Sequence, residues 1–140
     1  MDCIFNYFTP SPTAGKIHVI YPTGKTFITG FARSYNAPYC EQTLKGYLSE
    51  DQYFLLVEGV NTQINTFWPC LTCFLIGYLL APLTCCLSFY CPNICIYDAK
   101  NALLRSIERD NRLKLNQKGL HLKYVQRCST SWLELSILDK

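Results

Sequence analysis

The stretch "FWPCLTCFLIGYLLAPLTCCLSFYCPNICIY", Phe67 to Tyr97, holds Cys70, Cys73, Cys85, Cys86, Cys91 and Cys95 and carries no charged side chain. Thiols at this density have three chemical uses. Structural zinc takes four thiolates, and Cys70-x-x-Cys73 with Cys85 and Cys86 has an arguable spacing. The intervening residues, however, are Phe74, Leu75, Ile76, Tyr78, Leu79 and Leu80, and thiolates are costly to bury in apolar surroundings. Cysteine also packs as a small hydrophobe. S-acylation is favoured over both, because cysteines at the water boundary of an apolar helix are acceptors of palmitate. The chain has nine cysteines, an odd number, and a small disulfide scaffold would not make their surroundings continuously hydrophobic, so thiols are expected rather than bridges.

Other chemistry is sparse. "GKT" at Gly24 to Thr26 imitates the end of a phosphate loop, but Val19 stands where that loop needs another glycine. His18 lies among strand residues and His121 between Leu120 and Leu122, and nothing pairs either with a thiol as a base. No acid/base constellation occurs, so a binding role without cofactor or catalysis is expected. A net charge of +3 and the absence of a basic stretch interleaved with aromatics argue against nucleic acid as a partner. The start, "MDCIFNYFTPSPTAGK", lacks the pattern of a signal peptide, and no Asn-x-Ser/Thr sequon occurs, so a cytosolic location is expected.

The elements that must position the thiols follow from periodicity. A length of 140 residues fits one domain, expected over 16–140 behind a flexible N-terminus at 1–15. "KIHVIYPTGKTFITGF" reads as a β-hairpin with Ile17, Val19 and Tyr21 before a turn at Pro22 and Gly24, and Phe27 and Phe31 after it. Mixed three and four spacing from Glu41 to Asn65 predicts a helix or two short ones. An amphipathic helix is predicted from about Asp98 to Asn116, stopping near Gly119. Two strands close the chain, one with Leu120, Leu122 and Tyr124, the other with Trp132, Leu133, Leu135 and Ile137, joined by a polar turn near Cys128 to Ser131. The fold class is therefore α+β: a small antiparallel sheet made of an N-terminal hairpin and two C-terminal strands, with helices and an apolar cysteine-rich segment at 67–97.

A helix rises ~1.5 Å per residue and needs about 20 residues to cross ~30 Å of hydrocarbon. Pro82 divides the segment, and Phe67 to Ala81 would reach only ~22 Å. Pro69 and Pro92 put further breaks near the ends. The strands on either side are too small to stand alone and must pack together, so both flanks must lie on one side of the bilayer. A re-entrant helical hairpin turning near Ala81 and Pro82 meets both demands and is preferred to a true span. Phe67, Trp68, Phe74, Leu75, Leu79 and Leu80 are its expected membrane-inserting residues. The basic helix after Asp98 would add attraction to anionic headgroups.

The order of these parts resembles the cysteine-rich hydrophobic domain family, and with it golgin subfamily A member seven and the Ras-palmitoylation accessory subunits. The motifs that carry the likeness are "PCLTC", the paired Cys85 and Cys86, "SIERDNR" and "GLHL"; it is sharp from Trp68 to Tyr124. The resemblance implies palmitoylated cysteines, attachment to the cytoplasmic face of Golgi, vesicle or plasma membranes, and no catalysis. It implies Cys70 and Cys73 as acylation sites, and also Cys85 and Cys86, which match the cysteine string of another branch. The implied role is to bind and stabilise a DHHC-type palmitoyltransferase, with the sheet and the Asp98 to Asn116 helix, through Leu104, Ile107 and Arg112, as the docking surface. No Asp-His-His-Cys occurs in the chain itself. The alternative role is a palmitoylated vesicle-trafficking adaptor without a transferase partner.

Overall fold

The computed structural model describes residues 17–27, 29–127 and 129–138. The expectation for 1–15, and Cys128 in the last turn, lie outside them. Four strands form one antiparallel sheet: β1 (His18–Thr26), β2 (Ala32–Asn36), β3 (Leu120–Arg127) and β4 (Thr130–Ile137), in the order β2-β1-β4-β3. The first hairpin thus joins the last two strands through β1 and β4, with Ile20 opposite Leu133 and His18 opposite Leu135. The α+β class and the sheet composition follow the sequence. Between the two hairpins run α1 (Glu41–Leu44), α2 (Glu50–Phe67), α3 (Leu71–Leu80) and α4 (Tyr90–Asp110). A 3-10 turn (Leu87–Phe89) leads into α4, which continues as a π turn (Asn111–Leu115) and a second 3-10 turn (Asn116–Lys118).

Local rules explain most boundaries. Ser49 caps α2 in a capping box with Gln52, satisfying two backbone donors at once. Trp68 ends α2 in an extended conformation, as the residue before Pro69 must. The expected hairpin turn at Pro22 and Gly24 is not there. Both residues lie inside β1, where Gly24, at φ +74°, falls in a bulge between Thr23 and Thr26. The chain reverses instead at Phe27 to Phe31, around Gly30. Gly30 is at φ +82°, and a Cβ there would come within 2.2 Å of the Thr130 backbone nitrogen. The inward phase of β1 shifts accordingly: Ile20 is buried, while Tyr21 is 44% exposed.

The core lies between the sheet and the inward faces of α2 and α4. Tyr53, Val57, Val60 and Ile64 from α2 meet Ile96, Ala99, Leu103 and Ile107 from α4 over Ile20, Leu120, Leu122, Leu133 and Leu135. Ile107 is only 5% exposed, so it belongs to this core and not to a docking surface; the three and four spacing that marks α4 as amphipathic turns it toward the sheet. Trp132 does not share a face with Leu133, because successive strand residues alternate. Its indole donates to buried Glu134 at 2.8 Å, and the Arg127 guanidinium lies 6.0 Å over its ring. Ile137 is exposed.

At each edge of the sheet an asparagine pairs the backbone of one strand residue. Asn61 on α2 accepts from the Tyr35 amide (2.8 Å) and donates to the Tyr35 carbonyl (3.0 Å) on β2. These groups therefore point away from β1, and Pro22, opposite Tyr35, forfeits no ladder bond. At the other edge Asn111 makes the same pair with Leu122 on β3, at 2.8 and 2.7 Å. The π turn aims Asn111 at that edge, a use typical of an inserted residue in a helix.

Two outcomes are expected. Asn111→Ala leaves two buried backbone groups unpaired and should lower the unfolding free energy by about 2–4 kcal/mol in denaturant melts, with Asn61→Ala, partly exposed, costing less. His18 donates to or accepts from the Tyr53 hydroxyl at 3.1 Å, and burial holds its pKa below the ordinary value. The unfolded chain then binds that proton more readily, so His18's contribution is present above about 6.5 and is lost progressively as pH falls below it. Thermal melts between pH 7 and 5.5 should fall more steeply for the wild type than for His18→Asn.

Candidate functional site

The uncharged segment forms a helical hairpin that stands off the body of the protein. α3 leads outward, the chain turns at residues 81–86, and the first two turns of α4 lead back. Ser88 Oγ donates to the Gly77 carbonyl at 2.7 Å, and Gly77 lies against Pro92, so the two arms are in contact. The turn falls where Ala81 and Pro82 place it. Pro92, expected to break a helix, sits in the first turn of α4, where its missing N–H has no intrahelical partner to lose. At ~1.5 Å per residue, α3 reaches ~15 Å, about half of a bilayer's hydrocarbon.

Among the described residues no single helix is long and apolar enough to cross a membrane; α2 and α3, bent by 43° at their junction, reach that length and composition only together. The inward face of α2 is occupied by the core, with Tyr53, Val57, Val60 and Ile64 buried. Exposed apolar side chains are concentrated on the hairpin. Leu71, Leu79, Leu83 and Leu87 are each at least 70% exposed, and Leu75, Ile76, Tyr78, Tyr90, Ile94 and Tyr97 are more than half exposed. Of the expected inserting residues, Leu75, Leu79, Leu80 and Phe67 face outward. Trp68 and Phe74 are partly withdrawn, because they tie the hairpin to the body: Trp68 stacks on Phe31 at 6.1 Å and Phe74 meets Phe27 at 6.3 Å. Beside them lies a groove of about 640 Å³ lined by Phe27, Trp68, Leu71, Phe74, Tyr78 and Pro92, with Lys25 at its rim.

The cysteines separate into two groups. Cys85 and Cys86 sit at the tip, exposed, in consecutive left-handed conformations (φ +49° and +69°), which cost non-glycine residues roughly 1–2 kcal/mol each. The turn is held by its own bonds, among them Cys86 N–H to the Ala81 carbonyl at 2.9 Å and Thr84 Oγ1 to the Leu80 carbonyl at 2.8 Å. Cys70 and Cys73 sit at the base. The length of α3 separates the two pairs, so the four-thiolate set of Cys70, Cys73, Cys85 and Cys86 is not assembled. Among the described residues no group of three or more histidine, cysteine or acidic side chains is placed to hold a metal ion. The fold instead brings Cys91 and Cys95, one turn apart on α4, close enough for their charge to raise the Cys73 pKa. Their i, i+4 spacing is the sequence signal of this placement, and Pro92 between them does not interrupt it because it lies in the first turn of the helix.

Cys70 and Cys73 differ in chemistry. Cys70 is the N-cap of α3 and exposed; its sulfur lies 2.8 Å from Thr72 Oγ1 and 3.1 Å from the Cys73 sulfur. The Thr72 hydroxyl first, then the Cys73 thiol and first-turn amides, stabilise its thiolate and bring its pKa down to about 7. Cys73 is pushed up to about 11, chiefly because its proton is held by Cys70. Cys70 is therefore the nucleophile of the pair at neutral pH.

Of the docking residues expected on α4, Leu104 is 40% exposed, and Arg112, in the π turn that follows, pairs with Glu108 at 3.5 Å on the surface. Arg105, Glu108, Arg112 and Leu113 line a shallow pocket on the same side. The chain matches no protein-family model, and no curated protein or solved structure matches it.

Iodoacetamide labelling followed by peptide mass spectrometry should show Cys70 reacting fastest, with a half-maximal rate near pH 7. Cys73 should stay slow until far more alkaline pH. Thr72→Val removes the leading stabiliser of the thiolate, raises the pKa, and should lower the Cys70 rate at pH 7 several-fold. An unchanged rate would show that Thr72 plays no such part.

Proposed function

We propose that this chain is a membrane-associated accessory protein, anchored by its one-sided apolar hairpin and by acyl thioesters at Cys70 and Cys73, that binds and stabilises a DHHC-type protein S-palmitoyltransferase. The observation that carries the membrane half is the hairpin's exposed surface. Apolar patches of this extent on a protein mark an interaction site, and this one is helical, free of charge and uncovered by the body. Its first flanking charges are Asp98 and Lys100 on α4, with Lys25 beside the base. Trp68 and Tyr97 near the base suit the water boundary of a bilayer. One acyl chain holds a protein only reversibly, while a second anchoring signal makes the attachment stable. The hairpin supplies one signal, and a nucleophilic Cys70 at the boundary supplies the other.

The transferase half is supported by the likeness carried in "PCLTC", "SIERDNR" and "GLHL", and by a usable surface on α4. With Ile107 buried, that surface is the outward ridge of Leu104, Arg105, Glu108, Arg112 and Leu113. At each sheet edge one residue, Tyr35 or Leu122, already has its outward groups paired by an asparagine side chain, which favours docking on the helix over strand addition there. The expected location is the cytoplasmic face of Golgi, vesicle or plasma membrane.

The test has three readouts in one set of cells. The wild type should float with membranes, and tags on both termini should be digested by protease outside sealed vesicles; protection of one terminus alone would show a span. Cys70→Ser with Cys73→Ser should remove most of the hydroxylamine-sensitive acyl label. Leu104→Asp with Arg112→Glu, both at exposed positions, should abolish co-purification of the transferase in mild detergent while leaving flotation intact. A wild type that co-purifies no transferase would remove the accessory role and leave the anchored adaptor.

A further inference from the structure

We propose that Cys70 and Cys73 form a reversible dithiol–disulfide pair, closed by exchange with a small-molecule disulfide of the glutathione class. The two sulfurs are 3.1 Å apart, and the Cys73 amide donates to the Cys70 carbonyl at 3.1 Å, so one helical turn already sets the backbone spacing. A disulfide needs its sulfurs at about 2.05 Å. Cys70 is exposed and Cys73 only partly covered, so rotation of the two side chains closes that gap without moving α3.

The exchange balances in two steps. The Cys70 thiolate attacks one sulfur of oxidised glutathione, forming a mixed disulfide and expelling one glutathione thiolate. The Cys73 sulfur, giving up its proton to solvent, then attacks the Cys70 sulfur; the Cys70–Cys73 bond forms, the mixed disulfide breaks, and the second glutathione leaves. Both cysteines are oxidised, and one glutathione disulfide is reduced to two thiols. The division of labour in the pair suits this order: an ionised, exposed Cys70 attacks, and a Cys73 kept protonated resolves. A sulfur held in a disulfide cannot carry a thioester, so oxidation competes with acylation at the same atoms; this consequence rests on the reading under "Proposed function".

Full-length protein, purified in detergent and reduced, is equilibrated with mixtures of reduced and oxidised glutathione at pH 7, and its remaining thiols are counted by maleimide mass tagging. Two thiols should disappear in a single transition with no glutathione mass retained, and peptide mapping should join Cys70 to Cys73. Cys73→Ser should stop at a one-glutathione adduct on Cys70, and Cys70→Ser should react at least about tenfold more slowly. Wild type that keeps both thiols free, holds a lasting glutathione adduct, or joins other cysteines overturns the pair. In a second arm, reduced and oxidised protein are incubated with palmitoyl-CoA. Only the reduced form should take label at Cys70 and Cys73. Equal labelling of both forms overturns the competition; no label on the reduced form overturns the acylation reading, while the thiol count still decides the redox pair.

Discussion

The continuity of α4 past Asp98 is the constraint on which the rest of the structure depends. Its first two turns are the returning arm of the apolar hairpin, and its remainder supplies Ala99, Leu103 and Ile107 to the core. Without a break between these parts, the hairpin cannot pivot independently of the sheet. The outgoing arm is fixed as well, by the Trp68 stack on Phe31 and by Phe74 against Phe27. Both aromatic anchors come from the residues around the first hairpin's turn, so the placement of that turn sets the base of the hairpin.

The sheet is held at its edges by local side-chain bonds. Asn61 and Asn111 each match the donor and the acceptor of one edge-strand residue, Tyr35 and Leu122, which takes those ladder groups out of reach of strand pairing. A turn network seals the junction of the two hairpins: the Tyr35 hydroxyl lies 2.6 Å from Ser131 Oγ, which donates to the Gly30 carbonyl at 2.7 Å. Exposed large apolar side chains are concentrated on the hairpin.

Position then separates thiols of one type into two chemistries. At the base, a helix N-terminus, Thr72 and a neighbouring thiol favour one thiolate. At the tip, Cys85 and Cys86 occupy strained backbone with no such donors described, and the bonds that hold the turn come from Leu80, Ala81 and Thr84. The thiolate-favouring base and the strained tip stand apart because ~15 Å of helix lies between them.

The α+β class, the uncharged run, the turn at Ala81 and Pro82, and the three and four spacing of α2 and α4 were legible in the sequence, because helix periodicity, charge and proline geometry act within a few residues. The two closing strands were legible for the same reason, and so was a hairpin ahead of the helices, but not its turn or its second strand, which lies at Ala32–Asn36. Which face β1 buries was not: the bulge at Gly24 and the reversal at Gly30 depend on β1 lying between β2 and β4 and on the close approach of Thr130. Ile107 could be placed on an apolar face by sequence, but only the packing of α4 on the sheet decided that the face was core and not a docking surface. The approach of Cys91 and Cys95 to Cys73, and the separation of Cys85 and Cys86 from Cys70, arise from folding the run back on itself; contacts across that fold join residues some twenty positions apart, a distance over which local spacing carries no information.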